Sequence, residues 1–138
     1  MSGVRQQRQV EELCAATLRA LTGDGELHFR GRLLHRGERP LRTWAPHLRV
    51  EAEAKSFPAL RAHADGMALR LLHSDAELHR GYCPPDPVER LVFELLEQLR
   101  VETLAPDSLP GLAANLQRRF AAWSRRFHTA CRGRRQRC

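Results

Sequence analysis

The chain has 138 residues and a mass of 15.8 kDa, with 23 basic against 16 acidic residues and a formal net charge of +7. This length suits one domain that buries about two-thirds of its unfolded surface, and a content of 42% hydrophobic and 28% charged residues excludes a disordered chain. No run of about 20 apolar residues is present and the first residues lack a signal-peptide core, so we expect a cytoplasmic protein without membrane contact.

The positive charge is concentrated at the C-terminal end. Residues 117–138 contain eight Arg and no acidic residue, which leaves 15 basic and 16 acidic residues in 1–116 and a net charge of −1 there. We therefore predict a helical domain over residues 1–127 and a basic, disordered tail over residues 128–138.

The four cysteines do not form a disulfide framework or a CxxC motif. Cys14 falls on an apolar helical stripe and is interpreted as a small core residue. Cys131 and Cys138 flank the Arg-rich segment and are expected to be free thiols.

The first third of the chain predicts one helix and a small β element. Apolar residues recur at helical spacing between Val4 and Leu21, and Gly23 supplies a stop. Partial alternation around Gly31, over residues 26–35, predicts a hairpin or ribbon that extends toward Trp44. Residues 45–56 are predicted to form a loop.

Three further helices and one short turn follow. A helix begins near Pro58, and Asp75 in the sequence Ser-Asp-Ala-Glu opens a short turn before Gly81. The next helix begins at Asp86 and Pro87 and ends before Pro106, and the last begins around residues 109–110. The apolar side chains of the helix after Asp86 are predicted to face the core: Val88, Leu91, Val92, Leu95, Leu96 and Leu99. The fold class is mainly α, with about four main helices and a small β-hairpin in the N-terminal third.

His73, His79 and Cys83 are the strongest metal candidates, since they bring nitrogen and sulfur ligands close together in sequence. Zinc sites usually carry four ligands with a CxxC or HxxxH element, and neither element occurs. Capping and surface roles for the two histidines are the alternative. A divalent-metal carrier remains a third hypothesis for function.

Glu102 is predicted to project inside the apolar arc to which Val92 and Leu96 belong. A buried carboxylate must be paired or must shift its pKa. Either it is a polar anchor at a subunit contact, or an Arg of the preceding long helix, such as Arg61 or Arg70, neutralises it. Arg90 and Glu94 are four residues apart and are expected to form one helical ion pair.

Common catalytic motifs are absent from the sequence. It contains no GxxxxGK[ST] phosphate loop, no GxGxxG, no GxSxG and no HExxH. The Arg-rich tail could instead contact phosphates, and a small nucleic-acid-binding protein is therefore the competing hypothesis. Stacking on nucleic-acid bases requires aromatic residues among the charged ones. Trp123 and Phe127 are interpreted instead as part of the apolar stripe of the last helix, which counts against this hypothesis.

Three ordered blocks resemble the CobT family, a subunit of the aerobic, ATP-dependent cobaltochelatase. Residues 64–79, ADGMALRLLHSDAELH, are similar to its ADxxALRLxxHDxxxH segment, with Ser74 as a departure that suggests a divergent branch. Residues 85–87 and 92–102, the latter VFELLEQLRVE, resemble its vFdxxEQxRvE segment. Residues 109–116, LPGLAANL, resemble mxGvaxNL.

The resemblance implies a part in cobalt insertion into hydrogenobyrinic acid a,c-diamide during cobalamin synthesis. In that family a CobS-like AAA+ partner hydrolyses ATP, and a CobN-like large subunit carries the tetrapyrrole. ATP, Mg and Co are thus implied only for the whole complex, and no cofactor is expected in this chain.

This sequence departs from the family in its C-terminal part. The DxSxS motif of the family's von Willebrand A domain is absent, and the resemblance ends near Phe127. We expect either a truncated or frameshifted product or the N-terminal domain alone. No catalytic, cofactor-binding or metal-binding residue is carried over, and enzymatic activity of this chain is left open.

The leading hypothesis is a non-catalytic, N-terminal assembly module that works by protein contact. The residues that match the family's motif positions, and that we expect in interface or structural roles, are Asp65, Arg70, His73, Asp75, His79, Glu97, Gln98, Arg100 and Glu102.

Overall fold

The computed structural model describes residues 2–41 and 57–135. Over this part of the chain it confirms a mainly helical fold with a small β element in the N-terminal third. In chain order the elements are α1 (Ser2–Thr22), β1 (Leu27–Arg30), β2 (Leu33–Arg36), β3 (Arg39–Leu41), α2 (Phe57–His73), α3 (Ala76–Tyr82), α4 (Pro87–Glu102) and α5 (Pro110–Arg135). Trp44 and the predicted loop over residues 45–56 lie outside the described residues.

Helix α1 packs on α2 through one apolar stripe. Val10, Cys14 and Leu18 are buried, whereas Leu13, another apolar residue of this helix, is about half exposed. The helix ends at Gly23, whose φ of 72° lies in the left-handed region. Its N–H donates to the Arg19 carbonyl at 2.9 Å.

The β element is a three-stranded antiparallel sheet in the order β1-β2-β3, so the predicted hairpin gains a third strand. Gly31 and Arg32 form the two-residue turn between β1 and β2, with φ values of 57° and 66°. Two positive φ values are typical of a type I′ turn, which matches the twist of a hairpin. Leu27 and Leu34 insert from the sheet into the core beside α1 and α2.

Helix α2 is the centre of the domain. It packs against α1, α4 and α5, and its residues 64–69 are all buried. One end of the core lies between α1, the sheet and α2, and a second cluster joins Leu69 of α2 to Val101, Leu112 and Leu116. Because α2 is surrounded, polar groups on it must find partners on neighbouring helices.

Helix α4 is rotated about its own axis by about a third of a turn relative to the sequence prediction. It begins as predicted, with the Asp86 carboxylate accepting from the N–H groups of Val88 and Glu89 at 2.9 and 3.0 Å. However, its buried residues are Glu94, Gln98 and Val101. The residues predicted to face the core are largely exposed: Val88 69%, Leu91 42%, Val92 49% and Leu96 60%, with Leu95 and Leu99 half-buried.

Helix α5 continues to Arg135. The sequence placed a disordered tail at residues 128–138, but residues 128–135 extend the helix, and residues 136–138 lie outside the described residues. Phe120, Trp123 and Phe127 form a ladder along it, with ring centroids 6.0 and 5.5 Å apart. Over the described residues, none of the helices combines the length and hydrophobicity needed to cross a bilayer.

Candidate functional site

The polar residues with the most interactions lie between α2, α3, α4 and α5. We call them the inner polar network: Arg70 of α2, His79 of α3, Glu94, Gln98 and Glu102 of α4, and Arg119 of α5. Four of the six were predicted as site residues. Each of the four helices contributes at least one charged or polar member, so the network fixes how these helices sit against each other.

Arg70, His79 and Glu94 form a buried triad. The Arg70 Nη2 donates to Glu94 Oε2 at 2.9 Å, and the His79 Nε2 lies 2.6 Å from Glu94 Oε1. The Phe93 ring stacks on the imidazole with centroids 4.6 Å apart. Arg70 Nη2 also lies 3.0 Å from His79 Nε2. The guanidinium and the imidazole therefore converge on one carboxylate.

The ion pair expected between Arg90 and Glu94 does not form. Arg90 instead donates to the carbonyl oxygens of Pro84 and Pro85, at 3.2 and 2.8 Å. Glu94 is therefore committed to α2 and α3, and the guanidinium of Arg90 holds the connector that leads into α4.

Glu102 has an intramolecular partner, but that partner differs from the predicted one. Its Oε1 accepts from Arg119 Nη2 and, at 2.7 Å, from Gln98 Nε2. Arg119 Nη1 also donates to the Ala62 carbonyl at 3.1 Å. Arg61 and Arg70, the predicted partners, pair with Asp65 and Glu94 instead. The neutralising charge thus comes from α5 and not from α2.

Asp65 is fully buried on the side of α2 that faces α5. Its Oδ1 accepts from Arg61 Nε at 3.1 Å and its Oδ2 from Asn115 Nδ2 at 3.3 Å. Both oxygens are used within the domain, so the carboxylate ties α5 to α2.

A second polar group lies nearer the surface, where α2 meets α4. Glu97 accepts from Arg100 Nε at 2.7 Å and from Ser74 Oγ at 2.6 Å, and Arg100 Nη2 donates to the His73 carbonyl at 2.9 Å. The hydrogen bonds from Arg100, followed by the one from Ser74, lower the pKa of Glu97 to about 2, although its burial acts in the opposite direction. Asp75 caps α3 by accepting from two backbone N–H groups at 2.9 Å.

The metal candidates are not brought together. The His73 side chain is exposed at the end of α2, whereas His79 is buried against Glu94. A cleft of about 200 Å³ beside His79 is lined by Cys83, Arg80, Arg90 and Glu94. Among the described residues, no three or more His, Cys, Asp or Glu are arranged to hold a metal ion.

Glu94, Arg119 and Asn115 were not predicted as site residues, although the sequence contains a signal for Glu94 and Arg119. Glu94, Gln98 and Val101 recur at i, i+4 and i+7 and form a second face of α4, beside the leucine-rich one. Leu112, Leu116 and Arg119 have the same spacing on α5, but Arg119 was counted with the basic tail. Nothing local marks Asn115 as a partner of Asp65.

The outward face of α4 exposes several large apolar side chains among the described residues. We define the α4 apolar face as Val88, Leu91, Val92, Leu95, Leu96 and Leu99. Large contiguous apolar patches with a polar rim are typical of protein–protein contact sites. The charged groups of the inner polar network are paired with one another inside the domain.

Comparison with known proteins adds one finding on family. A family model described as "Cobalamin biosynthesis protein CobT" matches residues 6–135. The match extends past Phe127, where the sequence resemblance was expected to end. No solved structure matches the chain.

Proposed function

Since the chain belongs to the CobT family of cobalamin biosynthesis proteins, we propose that it is the non-catalytic assembly part of a CobT-like subunit of the aerobic cobaltochelatase. That enzyme inserts cobalt into hydrogenobyrinic acid a,c-diamide. In this proposal the chain works by protein contact. ATP, Mg²⁺ and cobalt are handled by the other parts of the complex.

The orientation of α4 is the observation that supports an assembly role in this proposal, and a separate exposed surface on α3 supports contact with the larger subunits. A helix on the surface of a domain usually turns its apolar stripe inward and its charges outward. Here Glu94 and Gln98 point inward, and the α4 apolar face points outward. Exposure of such a face to water is unfavourable, and its burial against a partner lowers the free energy.

The predicted site residues have a positioning role in this proposal. Arg70 and His79 hold Glu94, and Arg119 holds Glu102, so α4 is fixed by both ends of its inner face. Removal of one charged partner leaves the other buried and unpaired, which is strongly unfavourable. These pairs therefore keep the apolar face outward and rigid.

The proposed partners are a CobS-like AAA+ ATPase and a CobN-like large subunit. Helix α3 offers a contact surface separate from α4, because Leu78 and Tyr82 are 61% and 72% exposed and lie one turn apart. We place the contact with these larger subunits on this α3 surface. The exposed Glu77 and Arg80 beside it can form rim ion pairs.

Co-purification tests the proposal. Tagged chain is mixed with CobS-like and CobN-like proteins, and retention of each is measured for the unaltered chain and for the Leu78→Asp/Tyr82→Asp variant. We expect retention of at least one partner and its loss in the variant. Val4→Asp, at an exposed apolar site on α1, is the matched control. Absence of both partners from the unaltered chain contradicts the proposal.

A further inference from the structure

We infer that the α4 apolar face is covered by a second copy of this chain, with the two α4 helices packed antiparallel about a twofold axis. The inference rests on the proposed function in one respect, which is that α4 is used as an assembly surface. It names the occupant of that surface, which neither the family match nor the fold specifies.

The spacing of the apolar residues is palindromic. Val88 and Leu99, Leu91 and Leu96, and Val92 and Leu95 are three pairs that share one midpoint, between residues 93 and 94. A twofold axis at this midpoint that reverses the helix direction places Val88 opposite Leu99 of the second copy. Because the same edges of the two helices then face each other, Leu96 lies beside Val92 and Leu91 beside Leu95 of the second copy. Every apolar side chain of one copy then meets an apolar side chain of the second copy, as a self-complementary interface requires.

The charges beside this face obey the same symmetry. Glu89 and Arg100 are 11 residues apart, so at about 100° per residue they lie on the same edge of α4, separated by about 20° around the helix. Their midpoint falls between residues 94 and 95, one residue from that of the apolar pairs. In an antiparallel pair the same edges face each other, and Glu89 of each copy approaches Arg100 of the other.

Both charged groups are able to make this contact. Glu89 is exposed, and the Arg100 side chain is half exposed although its Nε and Nη2 atoms bond to Glu97 and to the His73 carbonyl. Two opposite-charge pairs therefore form across one axis. Such rim pairs select orientation more than they add affinity.

A parallel pair gains no equivalent contacts. In that arrangement the edge with Glu89 and Arg100 faces the opposite edge of the second helix, which carries Leu91, Leu95 and Glu102. The carboxylate of Glu102 is already held by Arg119 inside the domain. Charge complementarity thus favours the antiparallel arrangement.

The size of the contact predicts a concentration-dependent dimer. Helix α4 has 16 residues and is about 24 Å long. A contact limited to one such helix per copy belongs to the small interface class, below about 1,200 Å² in total, which is typical of weak and transient association. Self-association should therefore be measured from low micromolar to several hundred micromolar protein.

Sedimentation equilibrium of the purified full chain, with no partner present, tests the self-association. We expect a reversible monomer–dimer equilibrium whose Kd rises at least tenfold in Leu96→Glu, because the substitution places a charge beside the apolar Val92 of the second copy. Leu13→Glu on α1 is the matched control, since Leu13 is also about half exposed. A monomer over the whole concentration range, or equal effects of the two variants, overturns the inference.

Disulfide cross-linking tests the orientation. Val88→Cys and Leu99→Cys are prepared separately with Cys83, Cys131 and Cys138 changed to Ser, and the two proteins are mixed under mild oxidation. The antiparallel pair predicts a mixed disulfide of the two variants. Self-linked Val88→Cys dimers are not expected, because the two copies of residue 88 are then about 16 Å apart along the helix. Self-linked dimers in place of mixed ones overturn the antiparallel arrangement.

The outcome for the second copy is separable from the outcome for the larger subunits. A monomeric chain that still retains a CobS-like or CobN-like protein overturns the inference and leaves the proposed function standing. A dimer that retains neither partner supports the inference and contradicts the proposed function. If Leu96→Glu abolishes partner retention in a monomeric chain, the α4 apolar face belongs to that partner and the inference fails.

Discussion

The guanidinium of Arg70 and the carboxylate of Glu94 join α2 to α4 across 24 residues of sequence, at 2.9 Å and with side chains only 12% and 4% exposed. This pair, together with His79, turns the polar face of α4 toward the core. Because this polar face points inward, the α4 apolar face points toward solvent.

We predict that Glu94→Ala lowers the free energy of unfolding by about 3–5 kcal/mol, because it leaves Arg70 buried without its counter-ion. Urea denaturation measures the change. Glu38→Ala is the control, since Glu38 pairs with Arg30 at the surface with both side chains mostly exposed, and its effect should stay within about 0.5 kcal/mol. Equal effects of the two substitutions would contradict the buried pairing.

Arg119→Ala should destabilise the domain by a similar amount, about 3 kcal/mol or more, because Glu102 then loses its only cationic partner among the described residues. The neighbouring Arg118→Ala, at an exposed position on the same helix, should change stability by less than about 0.5 kcal/mol. Thermal unfolding of both variants checks the difference. If the two Arg behave alike, Arg119 is a surface residue and the assignment is wrong.

The stability of the domain should depend on Glu97 at acidic pH. Hydrogen bonds from Arg100 and Ser74 lower the pKa of Glu97 from 4.5 to about 2 in the folded state. A lowered folded-state pKa stabilises the fold fully above about pH 4.5, and this contribution is lost as the pH falls toward 2. The difference in urea midpoint between the unaltered chain and Glu97→Gln should therefore shrink across this window. A constant difference from pH 6 to pH 2 would refute the assignment.

Cys14 should resist thiol reagents in the folded protein. Burial, with smaller effects of the Asp65 and Glu11 charges, raises the pKa of this thiol to about 11, so the thiolate is scarce near neutral pH. Cys131 is exposed and Cys83 is half-buried, and both should be alkylated first. Mass spectrometry of the protein after brief iodoacetamide treatment at pH 8 identifies the modified positions. Early modification of Cys14 would contradict its burial.

Local sequence was sufficient for the order of the helices and for several of their ends, although not for the end of α5 at Arg135. Asp86 and Pro87 start α4, Asp75 caps α3 and Gly23 ends α1, because each of these features depends on backbone groups within a few residues. The blocks over residues 64–116 were likewise sufficient to indicate the family. Helical periodicity also located two faces on α4, but it could not say which of them lies inside.

Tertiary structure decided that choice. The sequence prediction placed the leucine-rich face of α4 in the core because it was based on hydrophobicity alone. The charges that reverse it, Arg70 on α2 and Arg119 on α5, lie 24 and 17 residues from their partners Glu94 and Glu102. A buried ion pair forms only where both groups are brought together and desolvated in the same place. The sequence by itself therefore indicated the order of the helices and the family, whereas the packing of α2 and α5 around α4 determined which face of α4 is exposed.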